Sequence, residues 1–207
     1  KTDGLYILPP FNVNAASMWG NRIDAIYGNM GFLRQSNQAY VLLADCNNLL
    51  SVNYNELFDV HESSDADITI VGVRGRLSKK LSNLLVFDKV NGGRVTEMSL
   101  NPDTDEEVLY SANIMIMKKS LLESLVTAAH SKNEISFQRS IIMANKDKLN
   151  INVYETDKSF VGTIDSVRSY YDISMSLLQK ENRKKLFNKE LPIYTKERDD
   201  MPAFYGL

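Results

Sequence analysis

The residues able to do chemistry in this chain are few and scattered. The two histidines, His61 and His130, stand alone, and the single cysteine, Cys46, has no partner at metal-ligand spacing. Each histidine therefore reads as a surface or helix-packing residue. No Gly-x-x-x-x-Gly-Lys-Ser/Thr or Gly-x-Gly-x-x-Gly run is present to cradle a phosphate. Gly92-Gly93 reads as a turn, and Gly28 and Gly31 fall inside a helical pattern. Spacing leaves a Ser-His-Asp triad open, but no nucleophile elbow marks one. Arg74, Arg76, Lys79 and Lys80 form a basic segment that reads as a solvated loop in preference to a phosphate patch. Met115, Met117 and Met143 are most simply core packing.

The elements that must position these residues alternate between short apolar runs and longer amphipathic stretches. Strands are expected at 5–8, stopped by Pro9-Pro10, and at 40–44, 67–72, 108–117 and 151–154. Segments 84–88 and 94–98 flank Asn91-Gly92-Gly93 and predict a hairpin. Ile23, Ile26, Tyr27, Met30 and Leu33 recur at helical spacing, which predicts one helix over 22–35. Further helices are expected at 54–61 with Asn53 as cap, 118–129, 137–144, 165–178 and 180–188. Strands separated by helices argue an α/β domain with a largely parallel sheet. No internal repeat and no low-complexity tract interrupts it.

Composition removes several classes of function. The 207 residues carry 24 Lys+Arg against 26 Asp+Glu, a net charge of −2. A dedicated nucleic-acid binder would show a basic excess, and nothing here resembles a polybasic membrane anchor. At 43% hydrophobic and 24% charged residues the chain is ordinary for a globular protein. Its length lets folding bury roughly 70% of its surface. One cysteine makes no internal disulfide, so a reducing, cytoplasmic setting is expected. No stretch approaches the roughly 20 apolar residues of a membrane span, and no signal peptide is visible. The chain opens Lys-Thr-Asp-Gly and enters an apolar segment almost at once, so it reads as a fragment.

An ordered set of segments resembles the nucleotidyltransferase domain of the ADP-glucose pyrophosphorylase (glucose-1-phosphate adenylyltransferase) family. Ile7-Leu8-Pro9-Pro10, Trp19 and Asp24-Ala25-Ile26-Tyr27-Gly28-Asn29 resemble the family's Leu-Pro-Ala and Trp-Tyr-x-Gly-Thr-Ala-Asp-Ala-x-x-x-Asn stretches. Positions 40–54 with His61 and Ala66-Asp67-Ile68-Thr69-Ile70 follow. Positions 93–102 resemble a strand ending in Glu-Lys-Pro, and Val161-Gly162-Thr163-Ile164-Asp165-Ser166 continues the set. It closes with Pro192-Ile193-Tyr194-Thr195-Lys196, Pro202 and Tyr205-Gly206.

The departures from the family pattern carry as much as the matches. The family's chemistry joins glucose 1-phosphate to the α-phosphate of ATP, and carboxylates hold the Mg²⁺ that neutralises the charge. Where the family has the Asp of Gly-Asp-His, this chain has Asn47 in Cys46-Asn47-Asn48. Where a second Asp precedes Val-Gly-Thr, it has Phe160. The lysine of Glu-Lys-Pro is Asn101, and Gly-Thr-Ala before Asp24 is Asn21-Arg22-Ile23. Losing oriented charge at a phosphoryl-transfer centre costs several kcal/mol, roughly 10³-fold in rate or more. Trp19, Asp24 and Ser111 are what the resemblance leaves on the substrate side, with Gly162-Thr163 and Asp165 as kept scaffold. Asp45 offers a displaced metal ligand: it lies two residues before Asn47, on one face if the strand continues that far.

The resemblance implies a Rossmann-like, GT-A-like nucleotidyltransferase domain of three layers with a mostly parallel, mixed sheet. It lacks the N-terminal Gly-rich strand-loop and the C-terminal β-helix. Residues 1–190 would be the nucleotidyltransferase-like domain and 191–207 the connector toward a left-handed β-helix. The expected function is a GlgD-type subunit, catalytically impaired, that modulates or stabilises a catalytic ADP-glucose pyrophosphorylase chain in glycogen synthesis. Such a role needs no cofactor. The alternatives are an active enzyme using Mg²⁺ through Asp45, or a module that senses a sugar phosphate or ATP without chemistry. Partners are a catalytic subunit and such small molecules, not nucleic acid or membrane.

Overall fold

The computed structural model describes residues 4, 6–8, 20–77, 83–156, 160–187 and 191–193. The polypeptide enters the ordered fold through α1 (Arg22–Gly28). Asn21 caps it, its Oδ1 accepting from the Asp24 N–H at 3.0 Å. The single helix expected over 22–35 is two. Asn29 ends α1 by turning its amide back to the Ala25 carbonyl at 2.9 Å, and α2 (Met30–Gln35) restarts after it. Two strands follow, β1 (Tyr40–Leu43) and β2 (Asn48–Leu50). In α3 (Tyr54–Ser63) the expected cap is observed, with Asn53 Oδ1 accepting from the Asn55 and Glu56 N–H groups.

The middle of the chain is a run of strands: β3 (Ile68–Arg76), β4 (Leu85–Asn91), β5 (Arg94–Leu100) and β6 (Glu107–Lys118). Gly92 and Gly93, with φ of 57° and 89°, supply the left-handed turn between β4 and β5. Helix α4 (Lys119–Ser131) then buries Leu122, Val126 and Ala129 along one stripe. A π-helical turn (Gln138–Ile142) and a 3-10 turn (Met143–Asn145) stand where an α-helix was expected. The chain finishes with β7 (Ile151–Glu155), β8 (Val161–Thr163), α5 (Val167–Ser176) and α6 (Lys180–Leu186). Residues 6–8 form no regular element, and Leu5, which would begin the expected first strand, lies outside the described residues.

The sheet corrects the expected fold class. Its order is β1-β6-β3-β7-β5-β4, and β4 pairs again with β6. Strands β6, β3, β7, β5 and β4 thus close into a five-stranded barrel, where an open, three-layer Rossmann-like sheet was expected. The seams are Val86 opposite Tyr110 and Arg94 opposite Asn152. Among the described strands only β3 and β7 run parallel, so the expectation of a mostly parallel sheet also fails. The physical reason lies between β3 and β6. A βαβ crossover would carry a helix there, but the β4–β5 hairpin occupies that interval and folds over so that β5 pairs with β7 and β4 with β6.

Apolar residues fill both sides of the central strands. Ile68 and Ile70 of β3 and Met115 and Met117 of β6 pack with Leu122, Val126, Ile141 and Ile142. On the other side Leu57 of α3 meets Val71, Val73, Ala112, Ile114 and Ile116. Gly72, at the bulge of β3, lies opposite Ser111. A Cβ there would stand 2.5 Å from Val153 Cγ2, so the close approach of β3 and β7 requires glycine. Among the described residues no helix is long and apolar enough to cross a membrane.

Candidate functional site

The site grows from a defect in β6. One edge of this strand is held by β1 at positions 115–118 and by β4 at Tyr110. Between them, positions 111–114 have no strand partner on that edge among the described residues. Side chains take over the work of the missing strand. Asn48 Nδ2 donates to the Ala112 carbonyl at 2.7 Å, and the Asn113 N–H donates to Ser111 Oγ at 3.0 Å. Asn113 itself takes φ 55°, the left-handed conformation that asparagine tolerates better than other side chains. Its Oδ1 accepts from Gln138 Nε2 at 3.1 Å, tying the strand to the π-helical turn.

A two-stranded ribbon walls this gap. Strand β2 pairs with β8, with Asn48 opposite Thr163. Thr163 Oγ1 donates to Asn48 Oδ1 at 2.9 Å, so both ends of the Asn48 amide are fixed. A cleft of about 330 Å³ opens at the gap. That volume is at the small end of ligand pockets. Asp45, Asn47, Asn48, Ser111, Asn113 and Thr163 line it, with Asp165 after β8, the Tyr110 ring, and Leu50, Leu84 and Val161 as its apolar part.

Five of the residues singled out from sequence therefore meet in one place: Asp45, Asn47, Ser111, Thr163 and Asp165. Ser111 is buried at 2% exposure, and Asn47 is exposed in the turn before β2. Strand β1 stops at Leu43, so Asp45 reaches the cleft from a connecting segment and not by strand alternation. Its carboxylate forms an ion pair with Arg22, at the start of α1. The Arg22 guanidinium is half-buried, stands 5.4 Å over the Phe137 ring, and has its Nη1 buried with no described hydrogen-bond partner. Burial lowers the arginine's pKa from its ordinary value. The guanidinium nonetheless stays charged, because an arginine does not deprotonate in proteins.

The other candidates lie elsewhere. Phe160 has its ring beside Gly162 and Ile173, where a Cβ on Gly162 would meet Phe160 Cε1 at 3.3 Å. It borders a separate cavity with Arg74 and Lys185. Asn101 is structural: at φ 49° its Oδ1 accepts from the Leu84 N–H at 2.7 Å and its own N–H donates to the Leu84 carbonyl at 2.9 Å. It clamps a residue of the cleft wall from behind. Asp24 accepts from Asn21 Nδ2 at 2.7 Å and stands 3.8 Å from His130 Nε2, whose ring stacks on Tyr27, so it joins α1 to α4. Trp19 lies outside the described residues, as do Lys79 and Lys80 of the basic segment and most of the proposed connector at 191–207. Arg74 forms an ion pair with Glu155.

Asn48, Asn113 and Gln138 were not singled out from sequence. Asn113 carried a signal, an asparagine, a residue depleted in strands, inside the strand expected at 108–117. Magnesium asks for near-octahedral oxygens including one or two free carboxylates. Here Asp45 already has a guanidinium as counter-ion and Asn47 contributes an uncharged amide. Among the described residues no three His, Cys, Asp or Glu side chains come together as a metal site. Asp165 is the second carboxylate that lines the described cleft.

Comparison with known proteins places the chain among distant relatives of one enzyme. The glucose-1-phosphate adenylyltransferase of Desulfitobacterium hafniense (strain Y51) is 25% identical over 209 residues, covering 98% of this chain and 52% of that protein. That of Lachnospira eligens is 26% identical over 206 residues, covering 98% and 48%. That of Bacillus subtilis (strain 168) is 24% identical over 205 residues, covering 97% and 53%. No protein-family model matches the chain. The chain is a distant homologue of glucose-1-phosphate adenylyltransferases, and it spans about half the length of the curated relatives it matches.

Proposed function

We propose that this chain belongs to a non-catalytic subunit of a cytoplasmic ADP-glucose pyrophosphorylase, one that stabilises or modulates a catalytic partner chain. The Arg22–Asp45 ion pair carries the reading. Asp45 is the carboxylate that an active enzyme would need as a substitute ligand beside Asn47. An internal cation already neutralises it, and that cation comes from the segment where the family has Gly-Thr-Ala. Two further observations support the reading. Phe160 turns its ring toward Ile173, and Asn101 spends its amide on the backbone of Leu84. Asn101 is thus committed to a strand end and Phe160 to packing, while Asn47 offers only an uncharged amide.

The test is ADP-glucose synthesis by the purified full-length protein with ATP, glucose 1-phosphate and Mg²⁺. Alone it is expected to be almost silent, while titration into a catalytic chain changes that partner's rate. Robust turnover alone overturns the proposal. Replacing Asp45→Asn would then abolish the turnover if Asp45 is the ligand.

A further inference from the structure

The turn between β4 and β5 places two reactive groups side by side. Asn91-Gly92 is the only Asn-Gly pair in the sequence. Asn91 ends the β4–β5 ladder opposite Arg94, and both Asn91 and Gly92 are exposed. Elsewhere in the fold asparagine amides are held. Asn48 donates to the Ala112 carbonyl, Asn101 accepts from the Leu84 N–H, and Asn113 accepts from Gln138. The Asn91 amide has no hydrogen-bond partner among the described residues, and the Gly92 N–H donates to no described acceptor. A Cβ placed on Gly92 would meet nothing within 4 Å, so the space beside its nitrogen is open. An unheld side-chain amide thus adjoins an unblocked backbone nitrogen.

We infer that Asn91 is a deamidation site of the folded protein, and that the isoaspartate formed there weakens the barrel seam. The Gly92 nitrogen gives its proton to water and attacks Asn91 Cγ. A bond forms between that nitrogen and Cγ, the Cγ–Nδ2 bond breaks, and the leaving nitrogen takes a proton from water and departs as ammonia. Water then opens the cyclic imide. Cleavage between the nitrogen and Cγ gives aspartate. Cleavage between the nitrogen and the main-chain carbonyl carbon of residue 91 gives isoaspartate, with the chain rerouted through Cγ and lengthened by a methylene. Glycine favours ring closure because it has no Cβ to hinder the approach.

The two products act differently on the hairpin. Aspartate sets a carboxylate directly across from Arg94, a favourable cross-strand pair. Isoaspartate lengthens one side of the ladder and breaks that match. The same end of the hairpin makes the seam with β7. The Gly93 carbonyl accepts from the Val153 N–H at 2.8 Å, and Arg94 lies opposite Asn152. The inference is independent of the subunit reading.

The test holds the full-length protein at mildly alkaline pH and physiological temperature. Its peptides are followed by mass spectrometry, with aspartate and isoaspartate separated by chromatography. Asn91 is expected to convert about tenfold faster than any other asparagine, or more. Gly92→Ala should slow the conversion about tenfold, because its Cβ hinders ring closure. Asn91→Gln should abolish it, since the longer side chain closes a larger, less favourable ring. Aged protein rich in isoaspartate should melt below fresh protein, whereas Asn91→Asp, which has the charge without the added methylene, should not. Conversion at Asn91 no faster than at other asparagines overturns the inference. So does conversion in the urea-unfolded chain with none in the native one, because the fold would then protect the turn. Aged protein that melts like fresh protein despite conversion overturns the effect on the seam.

Discussion

The two halves of β6 solve the same problem in opposite ways. From Met115 onward the strand is flanked by β1 and β3, and its side chains Met115, Ile116 and Met117 are buried in apolar surroundings. From Ser111 to Ile114 one flank is open, and Asn48 and Ser111 complete the backbone hydrogen bonds in place of a strand. The difference teaches where a binding site can form in this fold. A continuous ladder consumes its polar groups internally and leaves only packing. A break in the ladder must recruit polar side chains, and recruited side chains have donors left over. The closed barrel makes the break necessary. β4 leans in to meet β6 at Tyr110, β1 meets it at Met115, and the interval between them stays uncovered.

Substitutions in the two halves should separate packing from substitution of hydrogen bonds. The largest effect is expected at Met117, which is fully buried between β3 and α4. Met117→Ala should cost about 2–5 kcal/mol, read as a lowered denaturant midpoint at constant slope. In the open half, Asn48→Leu removes the amide that serves the Ala112 carbonyl and the Thr163 hydroxyl. That should cost about 1–3 kcal/mol, because buried polar groups are left without partners. If Asn48→Leu leaves the midpoint unmoved, the claim that side chains replace a strand here is wrong.

Much of this was readable from residues, and the rest was not for physical reasons. The Asn53 cap, the Asn91-Gly92-Gly93 turn and the strand-to-helix step at Lys118 are local events, set by side chains acting on their own neighbours. Barrel closure is not local. It depends on single pairs, Val86 with Tyr110 and Arg94 with Asn152, that lie far apart in sequence. Alternation of apolar runs therefore gave the elements but misjudged the sheet. The site shows the same split. Asp45, Asn47 and Ser111 could be named from the family resemblance and do meet in the cleft. The Arg22 cation that changes the meaning of Asp45 comes from another element. β2 and β8, three residues each, are too short to show a period, and with them went Asn48.

The smallest effect is a slope with pH, and it belongs to the regular half. Thr69 lies opposite Ile116 in the ladder and is fully buried, and its hydroxyl shares a 2.8 Å hydrogen bond with His61 Nδ1. Burial holds the His61 pKa below its ordinary 6.5, and Lys118 lowers it further, against the opposing pull of Glu62 and Asp67. The unfolded chain therefore binds more protons than the native one at mildly acidic pH. The stability of the neutral pair is fully present above about pH 6.5, the unfolded value. It is lost as pH falls from there toward the lower folded value. Below the folded value this contribution no longer changes. Denaturant midpoints taken between neutral and mildly acidic pH should fall with pH, and His61→Gln, which does not titrate, should flatten the decline. The open half contains no histidine, so Asn48→Leu should lower the whole curve without changing its slope. An equal decline in wild type and His61→Gln would place the titrating group elsewhere and remove His61 from the account of the regular half.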